Sequence, residues 1–325
     1  MQTSKLPSEL DMAITAFLAH KRTFGRAYTT EEYILKALRR FVVDQKGHDL
    51  SAALFELWCK KQRRLSPNTL RARQFTVRKF CQYRRRNEPG CFVPDPVFAQ
   101  RRPFVVPVLI TDQQIARMLG VTNMLSAPPC SPLRPAVMRM AVVLLYTAGL
   151  RRGELVRLRL GDVDARAGVL RICESKFHRS RLVPLSIDAH REMRHYLRRR
   201  LVKPHDLRPD APLLCNAHYG SSHGYTGAGL WQAIEEIFEQ ADVHDSEGRR
   251  PRLHDVRHSF AMQALIRSYR RGEDVQTLLP KLALYMGHVN IVSTAYYLRF
   301  IPEVAELASE RFGRNFSHLV NTGAT

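Results

Sequence analysis

Over the first ninety residues, apolar positions recur at helical spacing, and short polar breaks separate the runs. The apolar pattern over Met12–His20 predicts a first helix opening near Pro7. A second is predicted from Thr29 or Thr30 to about Val43, with Thr30 as N-cap and Glu31 and Glu32 as first-turn acids. A third covers Leu50–Lys60. A fourth opens at Ser66-Pro67, an N-cap residue followed by proline at the first helical position, and runs to about Arg86. In that fourth helix Leu70, Val77, Phe80 and Cys81 share one face. Arg71, Arg78 and Arg85 form an adjacent stripe, with Lys79 and Arg86 flanking it.

The stretch 87–107 holds five prolines and one glycine, and its apolar residues lack a clear period, so it reads as an extended linker. Beyond it the pattern mixes the two periods. Thr111-Asp112 caps a helix to about Leu119, and Pro135–Ala148 is a strongly apolar helix ended by Gly149. Gly168–Cys173 and Arg181–Leu185 read as a hairpin. Helices follow from Ser186 to about Leu201, around Leu230–Gln240, over His254–Arg271 and Val275–Leu284, and again from Val292. The expected fold is mainly α with a small antiparallel β-sheet, an α+β class. Its expected organisation is a helical domain over 1–88, a linker over 89–107 and a second domain over 108–325, with a tail from about 302.

Composition changes this picture through charge. The chain has 51 Lys and Arg against 30 Asp and Glu, a net +21. Residues 1–102 carry 21 basic and 9 acidic side chains, so the first third is the more basic part per residue. An excess of this size points to a polyanionic partner, since neutralising phosphates releases condensed counterions. Basic ribosomal and membrane-surface proteins share the property. A charge run on a helix is commonly a solvated face, but with so few acids beside Arg71, Lys79, Arg78, Arg85 and Arg86, contact with a DNA backbone is the expectation. The six cysteines form no CxxC pair, Met1–Leu10 is polar, and the longest apolar run, Met140–Tyr146, is too short to span a bilayer. These features predict a cytoplasmic protein with reduced thiols and no membrane association.

The candidate chemistry lies in the second domain. Arg151 follows an apolar helix and Gly149, a rigid mount for a phosphate-gripping guanidinium, and Glu154 three residues on could orient it. Lys176 falls in the predicted hairpin turn, where a lysine can reach a leaving oxygen. His254 and Arg257 share a helix face. His254 and His258 also stand at i, i+4, but the zinc motif's glutamate and a third ligand are missing. His288 closes a helix, and Tyr297 follows nine residues later, next to Tyr296. Taken singly, several of these residues are no more telling than ordinary surface or core side chains.

Together they resemble the tyrosine recombinases, or phage-type integrases, over about residues 105–300. The matching elements are GLRRGE at 149–154, Lys176 ahead of RLVPL, His254-Asp255-Val256-Arg257, MGH ending at His288, and Tyr297. The spacing selects Tyr297 over Tyr296. LLPKLALYM at 278–286 is longer and more apolar than the usual approach to the histidine. The first domain looks like the family's core-binding domain by architecture alone.

The resemblance implies a site-specific recombinase acting as integrase, resolvase or transposase in a phage, integron, transposon or chromosome-dimer system, with the STAYYLRF region at 293–300 tilting the reading towards a mobile element. Arg151 and Arg257 would clamp the scissile phosphate, Tyr297 would attack it, and Lys176 would protonate the leaving oxygen. His254 would handle the tyrosine proton, and His288 would hydrogen-bond the phosphate. The bond energy is kept in a phosphotyrosine, so no cofactor, ATP or metal is required. The implied partners are a double-stranded DNA recombination site, further copies of the chain up to a tetramer in the synapse, and accessory DNA-bending or partner recombinase proteins. A type IB topoisomerase and a catalytically silent DNA-binding regulator are the alternatives.

Overall fold

The computed structural model describes residues 9–96, 105–173, 180–202, 206–218 and 221–287. They fall into two compact units divided between Val105 and Val106. The regular structure described in the first unit is helical: α1 (Glu9–Arg22), α2 (Thr29–Asp44), α3 (Ala52–Lys61) and α4 (Pro67–Arg84). Ser51 and Ser66 cap α3 and α4 by accepting the N–H of Leu54 at 3.3 Å and of Thr69 at 3.2 Å. The start of α2 departs from expectation. Tyr28 stands at its N-cap in the left-handed region (φ 52°) with no side-chain cap bond, and Thr30 is already helical. The first-turn acid Glu32 pairs instead with Arg22 and, at 2.6 Å, with Lys36.

The apolar faces of these helices close one core in which Phe17 is central. Its buried ring lies 5.6 Å from Phe80 and 5.4 Å from Tyr83. Near the end of α4 the buried Arg84 is held between Asp49 (2.6 and 2.9 Å) and Glu88 (2.6 and 3.1 Å).

The second unit is built around α6 (Arg134–Thr147), which is apolar nearly all round and buries nine residues between Ala136 and Leu145. Against it pack α5 (Asp112–Met124), α7 (Arg152–Arg157), α8 (Ile187–Arg200), α9 (Gly227–Gln240) and α10 (Leu253–Arg270). Helix α5 runs past its expected end at Leu119, through Gly120, because Val121 and Thr122 continue the buried face of Ile115 and Met118.

Strands β1 (Val163–Asp164), β2 (Val169–Ile172) and β3 (Arg181–Pro184) form an antiparallel sheet. Leu170 pairs with Val183 on the core face, and Arg171 with Leu182 on the outer one. A second hairpin joins β4 (Cys215–His218) to β5 (Ser221–Gly224). The last described helix is α11 (Val275–Met286), with Asp274 as its cap. This mainly helical architecture with small antiparallel sheets is the expected α+β class. All six cysteines are free, and no described helix is long and apolar enough to cross a membrane.

The core of the first unit gives a direct test. Phe17→Ala removes the ring on which Phe80 and Tyr83 rest and should destabilise this unit by about 3–5 kcal/mol. Trp58 lies in this core and the only other tryptophan, Trp231, lies in the second unit, so a Trp231→Phe background lets fluorescence report the first unit alone. A loss under about 1 kcal/mol, the size of an ordinary substitution, would show that Phe17 is not central to it.

Candidate active site

The site begins where α6 ends. Gly149 turns the chain at φ 57°, and a Cβ there would lie 2.5 Å from the Phe260 ring of α10, so no other residue fits. Leu150 is buried, and Arg151 becomes the N-cap of α7. Glu154, in the first turn of α7, is buried and accepts the Arg151 backbone N–H at 3.0 Å and its Nη1 at 2.7 Å. The orienting role expected of Glu154 is therefore met by two bonds.

Arg257 reaches the same place from α10. It is buried, with Nη1 donating to the Gly149 carbonyl and Nη2 to the Met286 carbonyl at 2.5 Å; Nη1 lies 4.0 Å from Glu154. A third arginine, Arg181, comes from β3. Its Nη1 and Nη2 take both oxygens of Glu154 at 3.0 and 2.9 Å, and its Nε donates to the Tyr285 carbonyl at 2.8 Å. Arg151 in turn gives Nη2 to the Gly287 carbonyl at 2.8 Å.

Three successive carbonyls at the end of α11 thus accept from three arginines on three different elements. Helix C-termini leave their last carbonyls unsatisfied and carry partial negative charge, so cations are favoured there. Gly287 closes the helix in the left-handed region (φ 66°), and a Cβ there would lie 2.8 Å from the Arg181 guanidinium. The hydroxyl of Tyr285 also donates to the Pro184 carbonyl at 3.0 Å, which ties α11 to β3.

Three guanidiniums against one carboxylate leave a local excess of positive charge. Burial alone would push the Glu154 carboxyl up. The hydrogen bonds from Arg181 and Arg151 outweigh that and hold its pKa at about 2. It is ionised at any physiological pH.

His254 stands exposed at the rim, in the first turn of α10. Partial loss of hydration lowers its pKa below the usual 6.5, and the nearby charge of Arg257, with smaller contributions from Arg151 and Arg252, adds to this; Asp255 opposes. The buried Asp255 accepts the backbone N–H, Nε and Nη2 of Arg252 at 2.8, 3.2 and 2.9 Å, which fixes the helix start that carries His254. His258 packs edge-on to His254 with centroids 4.6 Å apart, and desolvation moves its pKa down to about 4. Arg151 and His254 share the wall of a cleft of about 440 Å³ with Arg152, Trp231 and Arg252. Among the described residues, no group of three His, Cys, Asp or Glu could hold a metal.

The structure thus brings together Arg151, His254 and Arg257. Lys176, His288, Tyr297 and its neighbour Tyr296 lie outside the described residues, as do the expected helices from Val292 and the tail from 302. Arg181 was not singled out by the sequence pattern. The signal that could have found it is a basic residue opening a strand in which the remaining side chains are apolar.

In the first unit the five arginine and lysine candidates divide. Arg71 lies over the Phe75 ring at 5.2 Å. Arg78 donates to the Pro94 carbonyl, and Arg85 donates to the Cys91 carbonyl at 3.2 and 3.3 Å, so both hold down the segment after α4. Lys79 and Arg86 are exposed. With Lys21, Arg26, the exposed Phe24 and Tyr83 they line a groove of about 530 Å³.

Known proteins resemble this chain over most of its length. Residues 109–302 match the phage integrase family. A Sinorhizobium fredii protein named as an integrase/recombinase, y4rB, is 31% identical over 316 residues, which cover 95% of this chain and 98% of that protein. The tyrosine recombinase XerD of Proteus mirabilis is 30% identical over 282 residues, 83% of this chain and 81% of its own. In fold, the Tn1549 transposon integrase, solved in complex with transposon right end DNA, superposes with a TM-score of 0.63. That match is 16% identical and covers 94% of this chain and 99% of that one. The chain belongs to the phage integrase family, the tyrosine recombinases. It is a DNA strand transferase of that class, and site-specific recombination is its activity.

The arginine cluster predicts a pH signature. A group with a depressed folded pKa contributes stability above its unfolded value and loses it as pH falls through the folded one. For Glu154 that window runs from 4.5 down to about 2 and is worth about 3 kcal/mol. Glu154→Gln should lower the stability of the second unit by about 3–5 kcal/mol at neutral pH, since it leaves buried guanidiniums uncompensated. It should also flatten the acid dependence below pH 4.5. Trp231 fluorescence in a Trp58→Phe background reads both effects; an acid slope unchanged by the substitution would mean that Glu154 is not the counter-ion.

Proposed function

We propose that this chain cleaves and rejoins DNA at a specific site through a 3′-phosphotyrosyl intermediate, with Tyr297 as the nucleophile. The observation that carries the reading is the convergence of Arg151 and Arg257 on Glu154 and the carbonyl end of α11, directly ahead of His288 in the chain. Uncatalysed phosphodiester cleavage is slow enough that catalysis has to supply on the order of 20 kcal/mol. Pre-positioned cations aimed at the developing phosphorane charge are the main available source.

Arg151 is the more open of the two clamps and meets the phosphate first. Arg257 is buried with Nη groups on two carbonyls, so it grips a non-bridging oxygen by exchanging a neutral acceptor for a charged one. Charge-assisted hydrogen bonds are the stronger kind, which favours that exchange. His254, neutral at pH 7 because its pKa is lowered, accepts the tyrosine proton. The tyrosine oxygen bonds to phosphorus as the bond to the 5′-oxygen breaks. Lys176 supplies the proton that makes the leaving group a 5′-hydroxyl, and His288 donates a hydrogen bond to the phosphate. Rejoining is the same path reversed, so the chemistry needs neither ATP nor a metal.

The first unit supplies DNA contact through Lys79 and Arg86, with Lys21 and Arg26 in the same groove, and through Arg71, Arg78 and Arg85 of the same helical stretch. Double-stranded DNA carrying a recombination site is the substrate. Two duplexes and four protomers make up the synapse, with residues 302–325 docking on a neighbouring copy. Accessory DNA-bending or partner recombinase proteins complete it. The element moved is a mobile one, a reading supported by the names of the Sinorhizobium integrase/recombinase and the Tn1549 integrase.

A nicked suicide duplex traps the covalent adduct. Wild type and Tyr296→Phe should form it and Tyr297→Phe should not; an adduct lost in Tyr296→Phe and kept in Tyr297→Phe would move the nucleophile one residue. Because the folded pKa of His254 is lowered below 6.5, its basic form predominates at pH 7 and is lost as the solution becomes more acid. The rate of adduct formation should therefore have an acid limb centred below 6.5, absent in His254→Gln, which should be slower by roughly 100-fold. A limb centred above that value would rule out the unprotonated imidazole as the base.

A further inference from the structure

Arg181 belongs neither to the phosphate clamp nor to the proton-transfer groups, yet it makes the most complete set of bonds at the site. Its side chain is nearly buried at the opening of β3. Two of its nitrogens span both oxygens of Glu154, and the third closes the Tyr285 carbonyl of α11. No other described side chain bonds Glu154, Arg151's neighbourhood and the end of α11 together through a bidentate fork. That planar fork is a property of arginine which lysine does not share.

A buried carboxylate has to be satisfied, and the site offers it two close guanidiniums, Arg181 and Arg151. With Arg181 in place, Arg151 gives Glu154 only Nη1 and its own backbone N–H, and its Nη2 holds the Gly287 carbonyl beside the cleft. Without Arg181, the hydrogen bonds to Glu154 would come from Arg151 alone, with Arg257 4.0 Å away. The Arg151 guanidinium would then turn into the protein as a bidentate partner, away from the cleft it lines. The Tyr285 carbonyl would lose its donor as well, loosening the turn from which Met286 and Gly287 present their own carbonyls.

We propose that Arg181 is a positioning residue of the strand-transfer site: it satisfies Glu154 from the sheet side and so keeps Arg151 turned towards the scissile phosphate. This rests on the reading of Arg151 as a phosphate clamp. It goes beyond that reading in adding a third arginine that acts through the carboxylate and never touches DNA.

The test measures single-turnover adduct formation by the full chain on nicked suicide duplexes. One duplex carries the ordinary phosphate at the scissile position and the other a neutral methylphosphonate, which needs less charge stabilisation. Arg181→Gln should slow the reaction on phosphate by roughly 100-fold, the loss typical of a misplaced transition-state donor. On methylphosphonate its deficit should be smaller by at least about tenfold, because the charge that Arg151 supplies is no longer needed there. Arg181→Lys keeps the charge without the fork and should fall between Arg181→Gln and wild type on phosphate. If Arg181→Gln does not fold, as read by Trp231 fluorescence, the lysine variant carries the same comparison.

Equal deficits on the two duplexes, or a wild-type rate in both variants, would overturn the proposal. Failure of the underlying reading looks different. In that case wild type itself forms no adduct dependent on Tyr297, whatever Arg181 does.

Discussion

The second unit depends on one buried carboxylate. Glu154 is the counter-ion that allows three guanidiniums to sit within a few ångströms of one another, inside a unit whose core is mainly apolar. Each arginine comes from a different element: Arg151 caps α7, Arg181 opens β3 and Arg257 lies on α10. Each also closes one carbonyl at the end of α11. The bonds that hold these four elements together are therefore the same bonds that arrange the charge. Buried ion pairs often contribute little net stability, because desolvation offsets their attraction. Their worth here is in geometry: three guanidiniums held in fixed positions around one carboxylate.

That arrangement gives the site's parts distinct characters. Arg151 and His254 face a cleft, whereas Arg257 and Arg181 are buried behind it. The surplus of cations holds the Glu154 carboxyl low, whereas the His254 imidazole is lowered first by lost hydration and then by the charge of Arg257. The carboxylate is thus kept charged, and protonation of the imidazole is disfavoured. In the first unit the arginines are likewise not interchangeable. Arg78 and Arg85 anchor the segment that leaves α4, and Arg84 is locked between two acids, whereas Lys79 on α4 and Arg86 just beyond it are exposed.

Much of this was legible in the sequence where the signal is local. The cap at Ser66, the apolar α6 and the pairing of β2 with β3 follow from spacing and cap chemistry. So does the proximity of Glu154 to Arg151, three residues apart on one helical turn. The expected start at Leu50, by contrast, missed the Ser51 cap of α3. What was not legible depends on distant partners. Thr30 looked like a cap, but the chain enters α2 through a left-handed Tyr28. Helix α5 passes Leu119 because its buried face continues. Helix α7 and the β4–β5 hairpin are too short to show a period. The function of Arg181 cannot be read from RLVPL, since its partners lie 27 and 104 residues away. Arg78 and Arg85 look like a free basic stripe until the carbonyls they bind are seen.

The central claim is that the Glu154-centred arginines form the scissile-phosphate site of a Tyr297 recombinase. It is tested most directly by a crystal structure of the Tyr297→Phe protein on an uncut duplex carrying its recombination site. The account predicts Arg151 and Arg257 within hydrogen-bonding distance of the non-bridging oxygens of one phosphate, with Glu154 still held by Arg181. A phosphate bound away from both arginines, or a Glu154 released from Arg181, would contradict it.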